Sequence, residues 1–270
     1  MNSLWPLALI TFKEGIRNRA LYGISILALM LLIANFVVCG VIMQDVGKVA
    51  VDMALSTVAF AGLLVVLFVG INLLAKDLDR KTIYIVLARP ISRGQYIWGK
   101  FFGLSLLVLA AMLALGAFAL CSIFFIKLVY PLYFPRFAWQ PVVLAMVFSI
   151  LSLLLLTALC VLFSSFSSSS FITLILTTVT YLVGHSLADV KALLESPQGL
   201  GIEVPTLTFK VINFAYYLFP NLSLFDLKTQ AAYNLAISPG YLFWTSAYAL
   251  VYIVLVILLA SLIFGKKEFP

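Results

Sequence analysis

The sequence predicts an all-α, polytopic membrane protein with six transmembrane helices, and three observations carry that prediction. Hydrophobic residues make up 64% of the 270 and charged residues only 10%, against about 45–50% and 25% in a soluble domain. The apolar residues gather in six runs long enough to cross a bilayer. Threading those runs in alternation places the net positive charge on one side. A pI near 9.3 therefore reflects topology, and no nucleic-acid partner is expected. The three cysteines, Cys39, Cys121 and Cys160, sit in apolar runs without a CxxC pair. They read as small buried hydrophobes, not as a disulfide or metal framework.

Taken in order, the chain opens with an amphipathic stretch at the start of segment 1–20. Trp5, Leu9, Phe12 and Ile16 recur at helical spacing, with Lys13, Glu14 and Arg17 off that stripe. It predicts a helix lying in the membrane interface. The run after it is too long for a signal-peptide core and lacks a clear cleavage site, so no cleavable signal is expected. Six spans follow at 21–43, 54–75, 101–126, 142–163, 171–187 and 241–264, all in one transmembrane domain covering 1–270. The first spans about 34 Å as a helix, enough to cross with some tilt. The fifth is the shortest.

The connections differ in kind. Residues 44–53 and 164–170 are short, and the second reads SSFSSSS, a polar turn that makes spans four and five adjacent and antiparallel. Residues 127–141 combine three prolines with a cluster of aromatics, as expected of an interfacial belt. The loop 188–240 is too apolar for a linker. Its piece 206–219 predicts an interfacial or re-entrant helix ended by Pro220, and Ser238-Pro239 reads as N-cap and first residue of the last span. With the N-terminus inside, segments 1–20, 76–100, 164–170 and 265–270 carry eleven Lys/Arg against four acids. The outer segments carry six of each. Both termini are thus expected in the cytoplasm.

One polar island interrupts the runs, KDLDRKTIYIVLARPISRGQYIWGKFFG at 76–103, with eight of the 27 charged residues. Pro90 must stop a preceding helix. Ser92 with Gln95 forms a capping-box pair, and Ile91 with Tyr96 a hydrophobic staple, so a helix should start at Arg93 and continue into span three. The stretch 82–88 is a short apolar element. Its TIYIV core has β-branched character, but an open strand at the interface leaves backbone groups unsatisfied, so a helix is predicted.

Several motifs invite chemistry and are weaker than they look. The string Gly94 to Lys100 matches a phosphate loop until Phe101 replaces the hydroxyl that binds Mg²⁺, and no strand precedes it. Gly99 and Gly103 form G-x-x-x-G, which permits close helix approach. His185, the single histidine, lies near the outer end of span five with no acid inside any run. It is a poor proton relay and reads as a packing or interface residue. The lack of carboxylates within the six runs argues against ion-coupled transport, so any transport must draw energy from another chain. The scattered methionines make no copper path, and Asn221-Leu-Ser is a formal glycosylation sequon.

On these residues the island resembles that of the membrane permease subunits of ATP-binding-cassette exporters of the type 2 class. Asp77 stands where the family usually has Glu, Thr82 matches, and Pro90, Ser92 with Arg93, and Gly99 with Lys100 fall in place. Lys81 departs from the usual glycine. The opening FKEGIRNR (12–19) is similar to the family's interfacial helix. Among subgroups the chain is most similar to permeases associated with multicopper-enzyme maturation and with gliding. The resemblance implies that 82–88 is a coupling helix, presenting Ile83, Val86 and Leu87 to a separate ATPase subunit. It implies a permease homodimer in the cell membrane, with ATP and Mg²⁺ on the partner and no cofactor or catalytic residue on this chain. Two rival classes are an integral-membrane enzyme, for which Asp77 and Asp79 are the only acidic pair available, and an assembly factor of a membrane complex. A neighbouring coding sequence with a complete phosphate loop favours the transporter reading.

Overall fold

The computed structural model describes residues 4–42, 45–74, 92–135, 137–167, 169–195 and 206–266. Among them every regular element is helical. In chain order they are α1 (Leu4–Ile16), α2 (Arg19–Val41), α3 (Val46–Leu74), α4 (Arg93–Val129), α5 (Trp139–Phe166), α6 (Ser170–Glu195), α7 (Thr206–Leu218), α8 (Lys228–Ala232) and α9 (Pro239–Lys266). Six of these, α2 to α6 and α9, are long and apolar enough to cross a membrane. They coincide with the six predicted runs. A bilayer permits this fold because a helix satisfies its own backbone groups.

The helices outrun the hydropathy windows. α3 begins eight residues before 54, because Val46, Ala50 and Val51 are buried in the bundle while Lys48 and Asp52 turn outward. α4 has 37 residues, about 55 Å, well over the ~30 Å hydrocarbon core. α6 has 26 residues, not the 17 that hydropathy marks. Its last turns are amphipathic and pack on α7, where Lys191 Nζ lies 4.0 Å from the Tyr216 ring centre.

α3 is the hub. In its most apolar window 72% of residues are buried, against 28% in α2 and 22% in α6. Small residues let the neighbours approach. On α6, which packs on α5, the inward stripe is Thr173, Thr177, Thr180 and Gly184, the glycine lying against Pro220 and Leu222. Thr173 and Thr177 donate to the carbonyls four residues back, at 3.3 and 2.7 Å, so their hydroxyls are silent toward lipid. The outward stripe is Phe171, Ile175, Val179 and Leu182. The serine-rich connection is the tight turn expected. Ser167 Oγ donates to Ser169 O at 2.9 Å and accepts from Ser169 N at 3.2 Å, turning α5 directly into α6.

Two features have no counterpart in the hydropathy. Residues Val65–Gly70 of α3 form a π-helical turn, six residues inside an otherwise α-helical span. Such turns carry one extra residue per bulge and recur at functional sites. The segment 219–238, expected as outer loop, is folded into the bundle as a plug. Leu222, Phe225, Leu227 and Ala231 are 0–2% exposed. Leu222 N donates to Gly184 O at 2.9 Å, Asn221 N to Tyr248 Oη at 3.1 Å, and Tyr241 Oη to Leu224 O at 2.6 Å. A polar tie joins α2 to α3 below it, where fully buried Asn35 donates to Ala50 O at 3.0 Å.

Candidate functional site

Ser92 is the first described residue of the island, and its geometry is that of a helix start. Its backbone is extended (φ −69°, ψ 152°), its hydroxyl accepts from Gln95 N at 3.2 Å, and Gln95 Oε1 accepts from Ser92 N at 3.0 Å. This reciprocal pair satisfies two otherwise orphan amide donors at the head of α4. The remaining coupling residues Asp77, Thr82, Ile83, Val86, Leu87 and Pro90, with the staple residue Ile91, lie outside the described residues.

From this start α4 is fastened on two sides. Arg93 Nη1 donates to Gly265 O at 3.0 Å, placing a cation on the carbonyl end of α9, where the helix dipole is negative. One turn on, the Tyr96 ring stacks on Phe264 with centroids 5.5 Å apart. The other side carries α1. A Cβ at Gly99 would lie 2.6 Å from Leu7 Cδ2, and one at Gly103 would lie 2.6 Å from Thr11 Cβ and 2.7 Å from Ala8 O. Gly15 in turn lies under the Leu107 side chain. The G-x-x-x-G motif thus seats α1, with glycine needed at Gly103 because a backbone carbonyl meets it and at Gly99 because the Leu7 side chain does.

This seating gives α1 two faces. Of the stripe Trp5–Leu9–Phe12–Ile16, expected to lie in the membrane interface, Trp5 (61%) and Ile16 are exposed. Leu7, Ala8, Thr11 and Gly15 are the buried residues, turned to the protein. Helix contact here is governed by side-chain size, so the small residues face the protein and the large ones the apolar surroundings. The signal was present as Ala8, Thr11 and Gly15 at spacings of three and four.

The coupling residues are therefore divided. Ser92, Arg93, Gly99 and Lys100 share the first turns of α4, but Gly99 is covered by α1 and Lys100 is only 4% exposed, its Nζ 5.8 Å from the Tyr96 ring centre. The string Gly94–Lys100 that mimics a phosphate loop is helical throughout. Tyr96 N, for example, donates to Ser92 O at 3.1 Å. A phosphate loop cradles its ligand with amides that are not committed to a helix ladder.

At the opposite end, the plug assembles a polar niche that the sequence did not reveal. His185 and Tyr181 of α6 are tilted against each other with centroids 4.6 Å apart. Asp226 Oδ2 and Lys228 Nζ pair at 3.2 Å on the plug. These four, with Ser149 and Ser152 of α5, line a void of about 30 Å³, roughly one water's share of liquid volume. His185 Nδ1 is buried and has no hydrogen-bond partner among the described residues. Asp226 was assigned to an outer loop 41 positions away, so only the plug's fold brings it here. Among the described residues no group of three or more His, Cys, Asp or Glu could hold a metal.

A family model described as "ABC-2 family transporter protein" matches residues 5–269. One curated relative, "Probable ABC transporter permease protein NosY" of Stutzerimonas stutzeri, is 28% identical over 125 residues, covering 44% of this chain and 45% of that protein. The match thus spans less than half the length of each.

Proposed function

Since the chain belongs to the ABC-2 transporter family, we propose that it is the permease subunit of an ATP-driven exporter, working as a dimer and coupled to separate ATPase subunits. It is a multi-pass membrane protein of a permease family whose members work with an ATP-binding subunit. The observation that carries the finer reading is the capped joint at Ser92. It starts a helix on the island and hands it without interruption to a membrane span, also tying it to α9 through Arg93. Force applied to 82–88 would reach three helices through that joint. Asp77, Thr82, Ile83, Val86, Leu87 and Pro90 remain proposed contacts of the ATPase, whereas Gly99 and Lys100 act from within the permease. The cell membrane is the proposed location, with ATP and Mg²⁺ on the partner. Co-purification with an ATP-binding subunit carrying a complete phosphate loop, and stimulation of that ATPase in proteoliposomes, tests the proposal. Neither association nor stimulation would leave the rival reading as an assembly factor.

Two expectations accompany it. Reporter fusions after Lys267 and within 189–200 should give opposite signals, because the charge excess lies on the side assigned to both termini; matching signals contradict the six-span threading. Purified chain alone should hydrolyse no ATP and take no label from a photoreactive ATP analogue. Labelling at Lys100 would contradict the helical reading of that string.

A further inference from the structure

At the α1 end of the bundle lies a cavity of about 730 Å³ between α1 and the end of α3, within the range of small-ligand sites. Its apolar wall is Ile10 and Leu73. Its polar wall is Lys13 in the last turn of α1 and Arg17 just past its end, whose backbone amide donates to Lys13 O at 3.2 Å, together with the amides of Asn18 and Asn72. Lys13 and Arg17 are both exposed, and among the described residues neither has an ion-pair partner. Glu14 shares the wall and offsets part of their charge. The Asn18 side-chain oxygen is taken by Ala20 N at 2.9 Å, which leaves its amide as a donor. The donor set is therefore that of a phosphate site: an ammonium, a guanidinium and two amides.

The surroundings select the source of the phosphate. α1 exposes Trp5 and Ile10, each at 61%, and runs through Asn18 directly into span α2. Its outer side therefore needs an apolar medium at the level where that span begins. Ile10 belongs both to this side and to the cavity wall, so the cavity opens toward the acyl boundary as well as the headgroup layer. We propose that this cavity holds the headgroup phosphate of an anionic phospholipid, with Lys13 and Arg17 as its charge partners. The inference rests on the membrane placement of the chain, not on ATPase coupling.

The test uses the full chain reconstituted in vesicles of equal parts phosphatidylcholine and phosphatidylglycerol, then released for native mass spectrometry. Wild type should retain phosphatidylglycerol in preference to phosphatidylcholine, and added inorganic phosphate should not displace it. The variant Lys13→Gln/Arg17→Gln should lose roughly twenty-five-fold in that preference, about five-fold per cation at an anionic surface. Arg17→Lys, which keeps the charge, should retain most of it. Lys266→Gln removes a cation from the same end of the bundle, outside the cavity, and should change little. Unchanged retention in the double variant would overturn the proposal. So would an equal loss in Lys266→Gln, which means diffuse attraction. Displacement by inorganic phosphate would mean a site for a soluble anion. Intact lipid retention with lost ATPase association would make the groove a surface for the partner protein.

Discussion

Gly103→Ala should loosen α1 from α4 and lower the stability of the detergent-solubilised protein by about 1–3 kcal/mol, the usual cost of overpacking. The new Cβ would sit 2.7 Å from Ala8 O, a backbone atom that cannot rotate away. Gly99→Ala should be milder and, unlike Gly103→Ala, repairable. The three nearest neighbours of its Cβ belong to the Leu7 side chain, with Cδ2 at 2.6 Å, Cγ at 3.0 Å and Cβ at 3.2 Å. Leu7→Ala deletes the two nearest, so the pair Gly99→Ala/Leu7→Ala should recover stability relative to the sum of its parts, a coupling of about 0.5–3 kcal/mol. No truncation of Thr11 should rescue Gly103→Ala, because the Ala8 carbonyl remains. Denaturant or thermal unfolding of the four variants decides it. Additive losses at both glycines would mean that α1 does not pack as described.

The second large effect concerns the joint. Ser92→Ala deletes the acceptor for Gln95 N and should cost about 0.5–2 kcal/mol of local helix stability. Arg93→Glu loses the 3.0 Å bond to Gly265 O and sets a carboxylate against the negative end of α9, unfavourable by about 0.3–1 kcal/mol beyond the lost bond. Pro90→Ala removes the stop before the joint and lets the preceding segment run on. Ser92 is exposed and Arg93 is only partly buried, so membrane insertion should hold at wild-type levels. The expected result is inserted protein that no longer retains or stimulates its ATPase. Full association and full transport in all three variants would reduce the island to a solvated, positive-inside loop.

What could be read from the sequence followed from solvent preference and local chemistry. The six spans announced themselves because a bilayer sorts residues by polarity, and Ser92 with Gln95 announced a helix start because capping is decided within four residues. Helix ends were misjudged where amphipathic turns continue past the apolar run, as at Val46 and after His185. The protein-facing side of α1 was not read, because packing there turns on size: Ala8, Thr11 and Gly15 are buried, whereas the amphipathic pattern points only to the Trp5 and Ile16 side. The niche of Tyr181, His185, Asp226 and Lys228 could not be read at all. Its members become neighbours only through the burial of 219–238, which no local pattern specifies.

That buried plug also dictates an order of biogenesis. Leu222, Phe225 and Leu227 fill space between helices that left the ribosome far earlier, and α8 packs on α3 and α5. Until residue 232 has been synthesised, the second and fourth spans stand around an unfilled wedge. The carbonyl of Gly184 likewise waits for Leu222. Tyr241 and Tyr248 of the last span then latch the plug from behind. Quality control by a membrane protease would therefore see the nascent chain as unfinished through five of its six insertions. Truncations anywhere before 219 should be cleared alike, whatever their length.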